Sequence, residues 1–163
     1  MKPRISTGPK ADYMRLAIKE AKKNFKSAAG GPFGACIVKD GVVLAVAANS
    51  VLKNNATCHA EMNAICLASK RIKNFDLSGC VIYSTTEPCP MCFSAIHWAR
   101  IDEVIYGTAI KDVNKRGFNE LKISAERLKN LGGSKVRITK GFLFSECELL
   151  LEDWDRLDNK RLY

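Results

Sequence analysis

Apolar positions recur along this chain with two different periods. Across residues 12–27, Met14, Ala17, Ile18, Ala21 and Phe25 keep the three-and-four spacing of a helix face, and Lys19, Lys22, Lys23 and Lys26 fall elsewhere on the surface. Asp12 is the expected N-cap. Ala28-Ala29-Gly30-Gly31-Pro32 stops that helix and opens a loop. From Gly34 to Ser50, two apolar runs flank Asp40-Gly41, a pair favoured in type I′ turns, and predict a β-hairpin. Residues 59–73 return to helical spacing through Ala60, Ala64, Ile65, Leu67 and Ala68.

Further on, residues 80–85 are β-branched and aromatic and predict a strand. Pro88-Cys89-Pro90 opens a helix that runs to about Arg100, with proline in the favoured first turn. Residues 103–108 and 135–139 predict two more strands, separated by a short helix over 124–131 that Gly132-Gly133 ends. A last helix begins near Ser145, where Ser145 and Glu148 fit a capping box. The order α-β-β-α-β-α-β-α-β-α predicts an α/β sandwich with one mixed sheet, antiparallel at the hairpin and parallel beyond it.

Composition narrows the class. The 163 residues contain no repeat and no linker, which predicts one domain over 1–163 with residues 1–10 as a mobile tail. A hydrophobic content of 47% with 26% charge fits a globular chain with a real core. Apolar stretches stay well under the ~20 residues of a membrane span. The start MKPRISTGPK lacks a signal-peptide core, so a cytoplasmic location without membrane contact is expected. Seven cysteines against two histidines then read as reduced thiols. The net charge of +9 is uneven, with ten Lys/Arg and three Asp/Glu in residues 1–60. That excess fits either a nucleic-acid partner or a solvated basic helix.

The chemistry concentrates in His59-Ala60-Glu61 and Pro88-Cys89-Pro90-Met91-Cys92. Cys89 and Cys92 have the spacing that lets two thiolates converge on one ion, and His59 adds an imidazole. Three protein ligands leave a fourth position for water, as in a catalytic zinc site; a closed structural site needs one more ligand. His97, five residues after Cys92, is off that helix face and reads as a packing or solvent residue. A redox dithiol is the alternative for the cysteine pair alone. Glu61 favours catalysis, because a carboxylate beside a metal-bound water can take its proton and return it to a substrate.

This pair of motifs resembles the signature of the cytidine deaminase-like superfamily of zinc-dependent nucleobase deaminases. Gly31-Pro32-Phe33-Gly34-Ala35, Lys39-Asp40-Gly41, His59-Ala60-Glu61-Met62, Glu87-Pro88-Cys89-Pro90-Met91-Cys92 and Ala95-Ile96-His97-Trp98-Ala99-Arg100 resemble its guanine deaminase and tRNA adenosine deaminase branch over roughly residues 12–163. The resemblance implies a three-layer α/β/α sandwich around a mixed five-stranded sheet. It implies one Zn²⁺ per subunit on His59, Cys89 and Cys92, with Glu61 as the catalytic acid–base.

For the substrate, the resemblance implies a purine base, guanine first. Gly117-Phe118-Asn119-Glu120 is similar to the Gly-Phe-Asp-Asp stretch of bacterial guanine deaminases, which places Glu120 on the base, one methylene longer than the family's aspartate. Asn49, ten residues before His59, resembles an asparagine that in the family typically stands eleven before the histidine and binds purine or ribose, an offset that a one-residue loop deletion accounts for; Phe33, Ala60 and Trp98 are expected to line the pocket. The tail from Trp154 to Tyr163 resembles one that closes over a neighbouring subunit's site, which implies a homodimer with residues 145–163 swapped and Tyr163 near the substrate. Gly141-Phe142-Leu143-Phe144-Ser145-Glu146-Cys147 is instead similar to tRNA deaminases, so tRNA adenosine stays as the alternative, and cytosine as a further one. Residues 145–163 carry three Lys/Arg and six Asp/Glu, which disfavours a phosphate backbone there.

Overall fold

The computed structural model describes residues 9–163, so most of the expected N-terminal tail lies outside the described residues. Asp40 and Gly41 have φ of 50° and 80°, both left-handed as a type I′ turn requires. They join β1 (Gly34–Lys39) to β2 (Val42–Ala48) in an antiparallel hairpin. The register moves from Ile37 opposite Ala45 to Val38 opposite Val43, a bulge that leaves Leu44 unpaired. β3 (Cys80–Thr86) lies antiparallel against the other edge of β1, and β4 (Glu103–Thr108) and β5 (Arg137–Thr139) follow in parallel. The sheet order is β2-β1-β3-β4-β5.

Side-chain alternation along these strands makes two apolar faces. On one side Ala35, Ile37, Ile82 and Val104 pack against α3 (Ala60–Ile72), α4 (Pro90–Trp98) and α6 (Ala125–Gly132). On the other, Cys36, Val38, Tyr83 and Ile105 meet α1 (Ala11–Ala21) and α7 (Phe144–Asp155). This is the expected three-layer α/β/α sandwich with a mixed five-stranded sheet. Among the described residues no helix is long and apolar enough to cross a membrane.

Four local expectations need correction. The first helix starts at Ala11, so Asp12 sits in its first turn and Lys10 occupies the cap position without a side-chain bond. The expected helix 12–27 is broken, because Lys23, Phe25 and Lys26 bond three residues back and start a separate α2 (Asn24–Ser27). That break turns Asn24 inward, where its amide donates to the carbonyls of Gly31 (2.8 Å) and Asn49 (2.7 Å). A short α5 (Ile110–Asn114) was not expected; the Asp112 carboxylate accepts from Ala109 N–H at its start. Ser145 does not cap α7, which begins after Leu143 in left-handed conformation, and Glu148 is engaged by Arg116 at 2.7 Å.

Candidate active site

The N-termini of α3 and α4 converge beside the carboxyl end of β3. His59 is the residue before α3, Cys89 is the residue before α4, and Cys92 lies in its first turn behind Pro90. One donor atom from each lies within 4.8 Å of the other two. The His59 Nδ1 to Cys89 Sγ distance is 3.6 Å. Tetrahedral bonds of ~2.3 Å to sulfur and ~2.05 Å to nitrogen would set those atoms about 3.55 Å apart, so the donor set fits Zn²⁺. Hydrogen bonding from the Cys92 thiol, helped by His59, outweighs burial and pulls Cys89 down to about 4. The Cys89 thiolate in turn drives the buried Cys92 well up. For His59, burial works against the charged form, but the bond to Cys89 and the charge of Glu61 leave it raised.

Glu61 is buried in the first turn of α3, two residues past His59. Ser84 Oγ donates to its Oε1 at 3.0 Å. Ser84 and Thr86 follow Ile82 on the α3 side of β3, which brings both into the cavity. Burial and the Cys89 thiolate raise Glu61, against smaller opposing effects of His59, its own backbone N–H and Ser84. The cavity is lined by Phe33, His59, Glu61, Ser84, Thr86, Glu87, Cys89 and Glu120.

Glu120 thus arrives beside the metal cluster from a loop after α5, raised by burial and by the Cys89 charge. Phe33 lines the cavity with its ring edge on Phe118, 5.1 Å between centroids. Phe118 meets Tyr163 in the same way at 5.6 Å. The Tyr163 hydroxyl accepts from Gly31 N–H at 3.0 Å, and the Tyr163 carbonyl accepts from Asn119 N–H at 3.1 Å. In this single chain the tail lies across the cavity of its own chain. Asn49 is buried behind this rim with its side chain toward the Tyr163 hydroxyl; its N–H donates to Phe33 O at 2.9 Å. Ala60 is buried at the start of α3. Trp98 is not brought to the cavity. It is 77% exposed at the far end of α4, beside His97, whose Nδ1 meets Ser134 Oγ at 3.0 Å.

The model of the cytidine and deoxycytidylate deaminase zinc-binding region matches residues 8–108, more than half of the chain. The chain belongs to that deaminase family. It is a zinc-dependent hydrolytic deaminase, with His59, Cys89 and Cys92 placed to hold the ion. Among its relatives, a guanine deaminase of Bacillus subtilis is 40% identical over 115 residues, 70% of this chain and 74% of that one. A tRNA-specific adenosine deaminase of Buchnera aphidicola is 34% identical over 152 residues, 91% of this chain and 94% of that one. The structure of a guanine deaminase from Nitrosomonas europaea superposes with a TM-score of 0.79 at 26% identity, over 88% of this chain and 82% of that one.

Three residues that line the cavity, Ser84, Thr86 and Glu87, have no role assigned from the sequence. Ser84 and Glu87 carry ordinary surface residue types, and their burial follows from the strand and loop that hold them. Alternation from Ile82 onward is the signal that could have placed Ser84.

Proposed function

We propose that this deaminase acts on a free purine base, guanine to xanthine and ammonia, with Glu61 as the acid–base and Glu120 as the residue that recognises the base. The closed aromatic rim carries this reading. Phe33, Phe118 and Tyr163 meet edge to face, and the Tyr163–Gly31 bond fastens the tail across the opening. A cover of this kind suits a free base that it can enclose, whereas a nucleotide in an RNA loop needs a path for the chain on both sides. Glu120 adds a half-buried acceptor beside the cluster. Guanine offers several N–H donors on its edges, and a free base keeps the imidazole N–H that a ribose replaces. An acceptor that a bound base cuts off from water and leaves without a donor is costly, which gives discrimination against bases lacking that donor.

Zn²⁺, when bound, activates a water as nucleophile at neutral pH. Glu61 would take the two protons of that water in turn at a carboxylate oxygen, delivering the first to the ring nitrogen and the second to the departing amine. Ser84 holds the Glu61 carboxylate from behind. Phe33 and the Ala60 backbone flank the ring, and Asn49 and Tyr163 close the far end.

The second reading is adenosine deamination in tRNA. It is favoured by the Buchnera relative, whose match spans more of this chain than that of the Bacillus guanine deaminase. An ammonia-release panel over guanine, adenine, cytosine, their nucleosides and an anticodon stem-loop separates the two. Guanine is expected to turn over fastest. Turnover of the stem-loop with guanine untouched would overturn the guanine assignment.

A further inference from the structure

Resting on the reading of Glu120 above, we propose that Glu87 is the positioning residue that fixes Glu120 against the base, by clamping both ends of the segment that carries it. Glu87 is 7% exposed and follows β3, two residues before Cys89. Its two carboxylate oxygens do different work. Oε2 accepts from Ile110 N–H at 3.0 Å, and Oε1 accepts from Ala125 N–H at 2.9 Å. Ile110 opens α5 and Ala125 opens α6. The segment between them, α5 and the loop with Phe118 and Glu120, therefore has both ends tied to one side chain.

The same residue is tied to the sheet, since Glu87 N–H donates to Thr108 O at 2.7 Å. The clamp thus stands on the strand end that also leads into Cys89 and Cys92. Position of the base-recognising carboxylate is referred directly to the metal cluster. Between the clamped ends, Arg116 binds Asp155 (2.8 Å) and Glu148 (2.7 Å) on α7, and Asn119 N–H binds Tyr163 O. These fasten the loop outward to α7 and the tail; Glu87 fastens it inward to the site.

The chemistry demands a glutamate. Two N–H donors need acceptors on both oxygens, which a carboxylate provides. A glutamine has one acceptor oxygen and turns its NH₂ toward the other donor. Loss of one such bond lets an end of the loop move, and Glu120 moves with it.

The test uses the full zinc-loaded chain. Glu87→Gln is expected to raise the KM for guanine about tenfold, the equivalent of one charged hydrogen bond, with kcat within about threefold and zinc content unchanged. Ala125→Pro removes the second donor at a helix position that tolerates proline and leaves Glu87 charged; it is expected to raise KM in the same direction. The double variant Glu87→Gln/Glu120→Gln is expected to be no worse than Glu120→Gln alone, because both act through one contact. Amide exchange over residues 110–125 is expected to speed up in Glu87→Gln while α1 keeps its protection, whatever the substrate. Multiplying effects in the double variant, or KM unchanged in both Glu87→Gln and Ala125→Pro, overturn the assignment of Glu87. An unchanged KM in Glu120→Gln overturns the reading of Glu120 itself, and Glu87 with it.

Discussion

Glu61 sits where burial and the Cys89 thiolate push its proton affinity up, and where Ser84, His59 and its own N–H restrain it. A carboxyl whose proton affinity is raised in this way is better able to hold a proton and pass it on. Glu61→Gln keeps the shape and the Ser84 contact but cannot accept a proton. It is expected to lower kcat by ~10²–10⁴-fold while zinc by elemental analysis stays equimolar with the chain. Wild-type turnover in that variant would sink the role. Ser84→Ala removes a hydrogen bond to a charged group, worth ~1.5–3 kcal/mol. Ammonia-release assays are expected to find kcat about tenfold lower, and zinc binding intact. His59, Glu61, Cys89 and Cys92 were legible in the sequence because metal chemistry needs those types at that spacing. Ser84, Glu87 and Asn24 were not, since nothing in a serine, glutamate or asparagine announces that three strands or loops away a partner will face it. Trp98 misled for the converse reason: its motif position was right, and its helix turns it to solvent.

At the scale of elements, legibility follows where each element gets its stability. The hairpin and α4 were readable because Asp40-Gly41 and Pro90 settle their geometry locally. α2 and α5 depend on distant partners, Gly31 and Asn49 for one and Glu87 for the other, so no local pattern marks them. The turn before β3 joins these two kinds. Asp76 accepts from the hydroxyl and N–H of Ser78 and pairs with Arg100 at 2.6 Å, which pulls its carboxyl down to about 2. A folded pKa below the ordinary value stabilises at pH above the ordinary aspartate range, and the contribution is lost as pH falls through about 2. The stability difference between wild type and Asp76→Asn, read by denaturant titration, is therefore expected to be constant from pH 7 to 5 and to shrink toward pH 2. A difference independent of pH would refute it. Packing of α7 on the sheet is tighter still. A Cβ at Gly107 would lie 2.3 Å from Cys147 Sγ and 2.9 Å from Thr85 O. Backbone cannot yield as a flexible side chain does, so Gly107→Ala is expected to cost about 1–3 kcal/mol in the same assay.

Over the whole molecule, the basic excess turns out to be partly an internal matter. α1, at the basic end of the sequence, lies beside the acidic α7 on one face of the sheet, and Arg15 meets Glu146 at 2.8 Å and Lys22 meets Asp153 at 3.5 Å. Arg156 pairs with Asp153 and Glu152 within α7 and its cap. Such exposed pairs contribute only ~0–1 kcal/mol each, but they cancel part of the field that a phosphate backbone would meet. Ionic strength then separates the two candidate substrates without any variant. Guanine is neutral at pH 7, so its kcat/KM has no counterions to release and is expected to change less than about twofold between 50 and 200 mM salt. An RNA stem-loop held by 6–10 phosphate contacts would lose ~10³–10⁵ in affinity over the same range. A flat profile on guanine, with no turnover of the stem-loop at either salt, places the chemistry under the Phe33–Phe118–Tyr163 cover. A steep profile on the stem-loop would mean that the cover opens and that the remaining lysines of α1 and α2 are what the RNA meets.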